Sequence, residues 1–394
     1  MFFQKPLIKW IPYFLLIQNN NLIPTIYGQS SPSPCDQPNQ VVQINNQEDI
    51  NKLAICRSFT GTISVNSTIP DLQLNTIEQV NGDLLIYNMS SLHSIELSSL
   101  RSVTGTLKIA NNPLLSNIVL TRLTDVNTAI FNVLPSIKSL EFPSIIQHAH
   151  RIDVTDTNTT ILNGINASTI DEVNIAGNKY LNDIRLNQIQ SIQKSFYASN
   201  NGDKLNLTLL GLQKIQSGTF ESLQDIQLYN LQAVNEGLYF NNNQFRSIDL
   251  SNVTQWPGAL SMENNTNLEY VNVTKLQKLG GAIKIKNNNR LVFVNVFPEL
   301  NEVGGSMELV GSFNDISLPK LHDVHGGFIA KSSSQNFSCE KINELKHNQV
   351  VKGHSFSCYH SSLKDGTLSS NSIKLTINVS ISLLLIFFTS SLFI

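Results

Sequence analysis

The stretch from Gly258 to Gly305 contains the same short pattern twice, and a chain that repeats at this interval can bury its apolar residues only by stacking the copies. Gly258-Ala-Leu-Ser-Met-Glu-Asn264 and Gly281-Ala-Ile-Lys-Ile-Lys-Asn287 each alternate two apolar residues with polar ones between a glycine and an asparagine. That is the pattern of a short strand ending at a corner. A second alternating segment follows, Leu268-Val271-Val273 in one copy and Leu291-Val294-Val296 in the other. A third apolar group, Leu276 with Leu279 and Leu300 with Val303, precedes the next glycine. Three sides make one coil of roughly 23 residues, and coils about 4.8 Å apart turn each side into a parallel sheet around a continuous interior.

The first strand recurs at Gly61-Thr-Ile-Ser-Val, Gly82-Asp-Leu-Leu-Ile, Gly105-Thr-Leu-Lys-Ile and Gly305-Ser-Met-Glu-Leu, and the second side at Leu92-Ile95-Leu97, Leu181-Ile184-Leu186 and Phe313-Ile316-Leu318, among others. Glycines 82, 105, 258, 281, 305 and 327 lie 22 to 24 apart within each run. The register blurs between Ile130 and Val173 and again from Gly218 to Gly237. The expected fold is all-β: a right-handed parallel β-helix of about twelve coils, with Leu84, Ile86, Leu107, Ile109, Leu260, Met262, Ile283 and Ile285 inside. Glycine suits a corner that needs positive φ or close backbone approach. Asparagine tolerates the same left-handed region while its amide can pair with the next coil. This accounts for the asparagine clusters at 111–112, 200–201, 241–243, 264–265 and 287–289.

A solenoid must cover its two ends, where interior residues and strand edges are bare. Asn46 is placed to cap a short helix with Glu48 and Asp49 in its first turn and Ile50, Leu53 and Ala54 on one apolar face. Ser338 to His347 repeats this character, with Ile342 and Leu345 on one face. The four cysteines stand as one pair near each end. The economical pairing is Cys35 with Cys56 and Cys339 with Cys358, each worth about 3 kcal/mol; buried free thiols are the alternative. The expected organisation is a signal peptide over 1–28, a lead-in over 29–45, the solenoid with its N-terminal cap helix over 46–338 and a C-terminal cap over 339–360. A Ser-rich linker over 361–372 and an apolar tail over 373–394 complete it.

The tail follows small residues and a short polar spacer, the signature of GPI attachment with removal of the tail. Asp365, Gly366, Ser369, Ser370 and Asn371 are the candidate attachment residues; a single membrane span is the competing reading. Nine N-x-S/T sequons lie between the caps, at Asn66, Asn88, Asn158, Asn166, Asn206, Asn252, Asn264, Asn272 and Asn336. Asn206 and Asn272 each stand between two inward apolar residues of a second-side strand, so they point outward. Asn88 and Asn264 occupy the corner, where an inward amide ladder and a glycan exclude each other.

With 14% charged residues and a net charge of -2, nothing resembles a nucleic-acid patch. Glycoside hydrolysis needs two carboxylates roughly 5 to 10 Å apart. The second-side slot holds Ser94, Asn117, Asp183, Asp225, Ser247, Tyr270, Phe293 and Asp315, with no two acids in neighbouring coils. His148 with His150, and His322 with His325, fall in loops or coil ends as solvated residues rather than ligands. No cofactor, metal or small-molecule substrate is implied. The first side presents Leu85, Tyr87, Thr106, Lys108, Ser261, Glu263, Lys284 and Lys286, with Glu263 beside Lys286 and Lys284 beside Glu308, and no sequon at its strand centres. Tyr87, Lys108, Glu263, Lys284 and Lys286 therefore mark the candidate contact face; an ordinary solvated sheet with paired charges is the competing reading.

The cap helix with Cys56, the Gly-x-Leu-x-Ile-x-Asn coils and the helix after Cys339 resemble the receptor L domain over about residues 35 to 358. With the leader, sequons and tail added, the chain is similar to the fungal GPI-anchored cell-wall family that includes sporulation-specific members. That resemblance implies a non-enzymatic surface glycoprotein, acting in wall or spore-wall organisation, with the plasma membrane and wall polysaccharide or mannoprotein as partners. A surface receptor or adhesin is the alternative, and a wall-polysaccharide enzyme a third. Ser361 to Ser372 is shorter than the family's Ser/Thr-rich stalk, which counts against transfer into the outer wall.

Overall fold

A computed structural model of the chain describes residues 33 to 360. The expected leader and the linker with its anchor residues lie outside the described residues. Two compact units are present, 33–189 with 200–202, and 190–199 with 203–360. Each is a parallel β-solenoid, and between them they carry about fourteen turns rather than twelve.

In the first unit the main ladder runs through Ser58–Val65, Leu84–Tyr87, Ser102–Ala110, Asp125–Leu134, His148–Thr157 and Thr169–Ala176, every pair parallel. Ile63 stands on Leu84 and that on Leu107, while Val65, Ile86 and Ile109 make the adjacent row. In the second unit Leu260, Ile283, Met307 and Phe328 form one row and Met262, Ile285, Leu309 and Ala330 the next. All are at most 1% exposed. Burying a side chain such as Ile285 contributes about 2 to 3 kcal/mol, so the alternating pattern decides the register.

The blurred stretches continue the ladder by other packing. Ala129 and Phe131 take the rows held by Leu107 and Ile109 and turn Ile130 outward, with the Phe131 and Phe142 rings 5.9 Å apart. In the second unit Gly218 falls in an interior row opposite Leu238, and Phe196, Phe220 and Phe240 stack at 5.5 and 5.4 Å. A Cβ on Gly218 would stand 2.7 Å from the Phe220 ring, so the phenylalanines fill the space that a side chain there would need.

The corner glycines serve close approach more than positive φ. Gly281 N donates to Gly258 O at 2.9 Å, Gly305 N to Gly281 O at 2.8 Å and Gly326 N to Gly305 O at 2.9 Å. A Cβ on Gly281 would meet the Gly258 carbonyl at 2.6 Å. The stack corrects the sequence reading: Gly326, not Gly327, continues the row, and Gly353 extends it.

At the N-terminal end, the supposed lead-in contains a strand. Asp36–Ile44 pairs in parallel with Ser58–Val65, so the solenoid begins before its cap helix. The strand was masked in the sequence because only Ile44 of its residues is buried, and its register shifts between Asp36 and Val41. Helix α1, Gln47–Leu53, is capped by Asn46, whose side chain accepts from Glu48 N at 2.9 Å and Asp49 N at 3.2 Å. Ile50 and Leu53 are buried, but Ala54 is exposed at the C-cap and does not join their face. Helix α2, Glu340–His347, buries Ile342 and half-buries Leu345, and the chain then adds Phe356–His360 to the edge of Phe328–Ser332. The disulfides are Cys35–Cys56 and Cys339–Cys358. Each ties a cap helix to an end strand, so the expected pairing and both stapled helices are found.

Candidate interaction surfaces

The corners between first and second sides use two consecutive residues with opposite environments. The first adopts the left-handed region: Asn88 at φ 58°, Asn111 at 54°, Asn264 at 58° and Asn287 at 57°. Its side chain lies outside, where Asn111 Nδ2 donates to Asn88 Oδ1 and Asn287 Nδ2 to Asn264 Oδ1, both at 3.0 Å. The second points inward. Asn243 Nδ2 donates to Asn265 Oδ1 at 2.9 Å and Asn265 Nδ2 to Asn288 Oδ1 at 3.0 Å. Each of these amides also donates to a carbonyl of the preceding coil, at Phe220, Phe240 and Met262. Asn178 and Asn201 repeat the arrangement in the first unit. Buried amides satisfied on every side specify coil spacing, because any slip strands several groups at once. The conflict expected at Asn88 and Asn264 therefore does not arise: both are exposed, the inward ladder at Asn264 is carried by Asn265, and at Asn88 the inward residue is the apolar Met89, whose backbone N donates to Asn112 Oδ1 at 2.9 Å.

Among the other sequons, Asn66, Asn166, Asn206 and Asn336 are exposed, and Asn158, Asn252 and Asn272 are half-buried. Asn158 and Asn252 use Nδ2 to donate to Pro135 O at 2.6 Å and Tyr229 O at 2.7 Å. Asn206 and Asn272 point away from the interior between Leu205 and Leu207, and between Val271 and Val273.

The first-side face is less open than its sequence suggested. Ser261 is 8% exposed and donates to Glu263 Oε1 at 2.9 Å, and Leu85, Tyr87, Thr106, Lys108, Glu263, Lys284 and Lys286 are half-buried under one another. Glu263 does stand opposite Lys286 and Lys284 opposite Glu308, but the ion pairs form on the diagonals, Lys284 to Glu263 at 2.9 Å and Lys286 to Glu308 at 3.8 Å. Burial works to raise the Glu263 pKa. Hydrogen bonds from Lys284 and Ser261 and the two lysine charges outweigh it and hold the carboxyl below its ordinary value. The hydrogen bond to Glu263 lifts Lys284 above the usual lysine range against partial burial. In the first unit Lys108 Nζ lies 5.9 Å from the Tyr87 ring centroid. The sequence reading missed a further charged group on this face: Arg151 reaches Asp153 at 2.8 Å and Glu172 at 3.1 Å, with Asp153 only 7% exposed.

On the second side Asp183 lies opposite Ile161, Asp225 opposite Asn206 and Asp315 opposite Phe293, so these acids are not neighbours. Carboxylates directly opposite each other in adjacent coils do occur on the third side, where Glu302 stands beside Asp323. Lys278 reaches Glu302 at 2.7 Å, and His325 Nε2 lies 3.6 Å from Glu302 and 3.3 Å from Asp323. That is a charge-paired sheet face. The four histidines are exposed as expected, but His148 and His150 lie in a strand rather than a loop or coil end, His148 with Nδ1 on Asp125 and His150 3.7 Å from Asp171, and His325 sits between acids.

Stacked coils, asparagine ladders and stapled ends define a class of disulfide-capped β-solenoid, and comparison with known proteins places it. Cell wall mannoprotein PST1 of Saccharomyces cerevisiae is 32% identical over 331 residues, covering 84% of this chain and 72% of that one. Cell wall protein ecm33 of Schizosaccharomyces pombe is 28% identical over 339 residues, 85% of this chain and 79% of that one. Sporulation-specific protein 2 of Saccharomyces cerevisiae is 28% identical over 309 residues, 77% of this chain and 61% of that relative's length. The chain belongs to this family of fungal cell-wall proteins. No protein-family model and no solved structure matches it.

Proposed function

We propose that the protein is a non-enzymatic glycoprotein of the fungal cell surface, held by a GPI anchor at a residue from Asp365 to Asn371, that organises the wall. The observation that carries this reading is the 32% identity to a cell wall mannoprotein across 84% of the chain. Relatives named as GPI-anchored cell-surface proteins support the anchor. Relatives named as sporulation-specific proteins support our extending the same role to the spore wall, with wall polysaccharide or mannoprotein as the partner class we propose. The first-side face is where we place the wall contact: a parallel sheet with long side chains already ordered by ion pairs offers a broad, pre-organised surface to a polymer. A deletion strain should be hypersensitive to wall-binding dyes, and phosphatidylinositol-specific phospholipase should release the plasma-membrane pool of the protein. Normal dye resistance in vegetative cells and spores, or retention of residues 373–394 in the mature chain, overturns the reading. Turnover of β-glucan by the purified protein would move it to the enzymes.

A further inference from the structure

The second-side ladder is interrupted between Tyr270–Asn272 and Phe293–Val294, which belong to separate two-stranded sheets. At the interruption lies a cleft of about 540 Å³, lined by Glu269, Tyr270, Asn289, Arg290, Phe293 and Asn295. Tyr270 and Phe293 are 63% and 54% exposed, the most exposed aromatic side chains among the described residues. They hold the same position in consecutive coils, as Val273 N donating to Val296 O shows three residues further along each. Glu269 closes one wall, taking Arg246 at 2.7 Å and Arg290 at 3.5 Å. Leaving two large rings in water across a parted ladder forfeits burial that a covering group would recover.

The chemistry of the cleft is that of a sugar site. A pyranose ring stacks its C–H face on an aromatic ring and turns its hydroxyls to amides, guanidinium and carboxylate at the rim. The sequon Asn272-Val-Thr274 begins on the same strand. Asn272 lies two residues beyond Tyr270, about 7 Å away, with Val271 and Val273 turned inward, so both side chains face the same way. The Asn272 amide makes no hydrogen bond to another described residue, unlike the sequon amides of Asn158 and Asn252.

We propose that Asn272 carries an N-linked glycan whose first sugars fold back into this cleft and stack on Tyr270 and Phe293. The glycan thereby becomes the cover of the interrupted ladder. Tethering favours this occupant over free sugar, because an attached group holds an effective concentration on the order of millimolar at the cleft. The inference rests on passage through the secretory route that the proposed function entails.

The test uses the full chain secreted from a yeast host. Glycopeptide analysis should find Asn272 occupied, and endoglycosidase should remove its glycan from the native protein at least about tenfold more slowly than that of Asn206, whose strand Asn206–Thr208 carries no aromatic ring. Denaturation should abolish the difference, and so should Tyr270→Ser with Phe293→Ser, an exposed pair whose replacement leaves the core intact. An empty Asn272 alongside occupied sequons elsewhere, or equal removal rates, overturns the inference while leaving secretion standing. Sequons all empty would instead overturn the secretory reading. A soluble β-1,3-glucan oligosaccharide binding to the glycosylated protein, and lost in the double variant, would show the cleft open to sugar from another molecule and would also overturn it.

Discussion

Replacing Asn265 by alanine tests whether the buried amides hold the coils in register. Asn265 Oδ1 accepts from Asn243 N at 3.0 Å and Asn243 Nδ2 at 2.9 Å, while its Nδ2 donates to Phe240 O at 2.9 Å and Asn288 Oδ1 at 3.0 Å. Asn243, Asn265 and Asn288 are all 0% exposed. Truncation removes four hydrogen bonds and strands two donors on Asn243 and the carbonyl of Phe240. Each stranded buried group costs about 1 to 3 kcal/mol, and water entering the vacated space recovers part, which leaves a loss of about 4 kcal/mol. The substitution leaves the sequon at Asn264 intact, since the middle position accepts any residue but proline. The paired control is Asn287→Gly, which loses only the outer bond to Asn264 and keeps a residue suited to φ 57°, for a cost below about 1 kcal/mol. Urea unfolding of the secreted protein, followed by far-ultraviolet circular dichroism, reads the difference. Equal midpoints for the two variants would refute the account of the ladder.

Ile285→Asp buries a carboxylate with no partner in a row that is 0% exposed; secretion of folded protein should fail, and a protease-resistant product at wild-type yield would contradict the register. Val133 holds the left-handed corner at φ 51°, where its neighbour Asn111 sits at 54°, so Val133→Asn should raise stability by about 1 kcal/mol, measured as a higher urea midpoint. The Glu263–Lys284 pair has a signed pH dependence. Because the Glu263 pKa is lowered in the fold, its contribution is present above the ordinary carboxylate value and is lost as pH falls through the folded value. Because that of Lys284 is raised, its contribution is present below the ordinary lysine value and is lost as pH rises through the folded one. The stability difference between wild type and Glu263→Gln should therefore be flat between roughly pH 6 and 9 and shrink in acid; growth of the difference in acid would sink this assignment.

The solenoid was legible because its signal is one-dimensional: alternation at Leu260, Met262, Ile283 and Ile285, renewed at each glycine, permits one face to be buried and no other. Where aromatic packing replaces that alternation, as at Phe131 and from Phe196 to Phe240, the turns continue with the pattern lost, and the ladder gains end rungs at Asp36–Ile44 and Phe356–His360 that lie outside the repeat. The edge strand Asp36–Ile44 escaped because an edge needs no alternation. Asparagine pairs were visible, but the division of labour between Asn264 outside and Asn265 inside depends on one residue of backbone phase. The aromatic slot at Tyr270 and Phe293 was visible too. What could not be read was the parting of the ladder that turns it into a cleft, because it depends on how successive coils separate in space.

The claim that the first-side face carries the wall contact is tested most directly by placing a sugar on it. Lys284→Asn with Lys286→Thr creates a sequon at a strand centre, and Lys284→Asn with Lys286→Ala removes the same two charges without one. Both variants lose half-buried surface ion pairs worth about 1 kcal/mol each, so both should fold and reach the surface. The measurement is wall-dye resistance in a deletion strain expressing each at equal surface level. The account predicts rescue by the unglycosylated variant and none by the glycosylated one; full rescue by the glycosylated variant would contradict it.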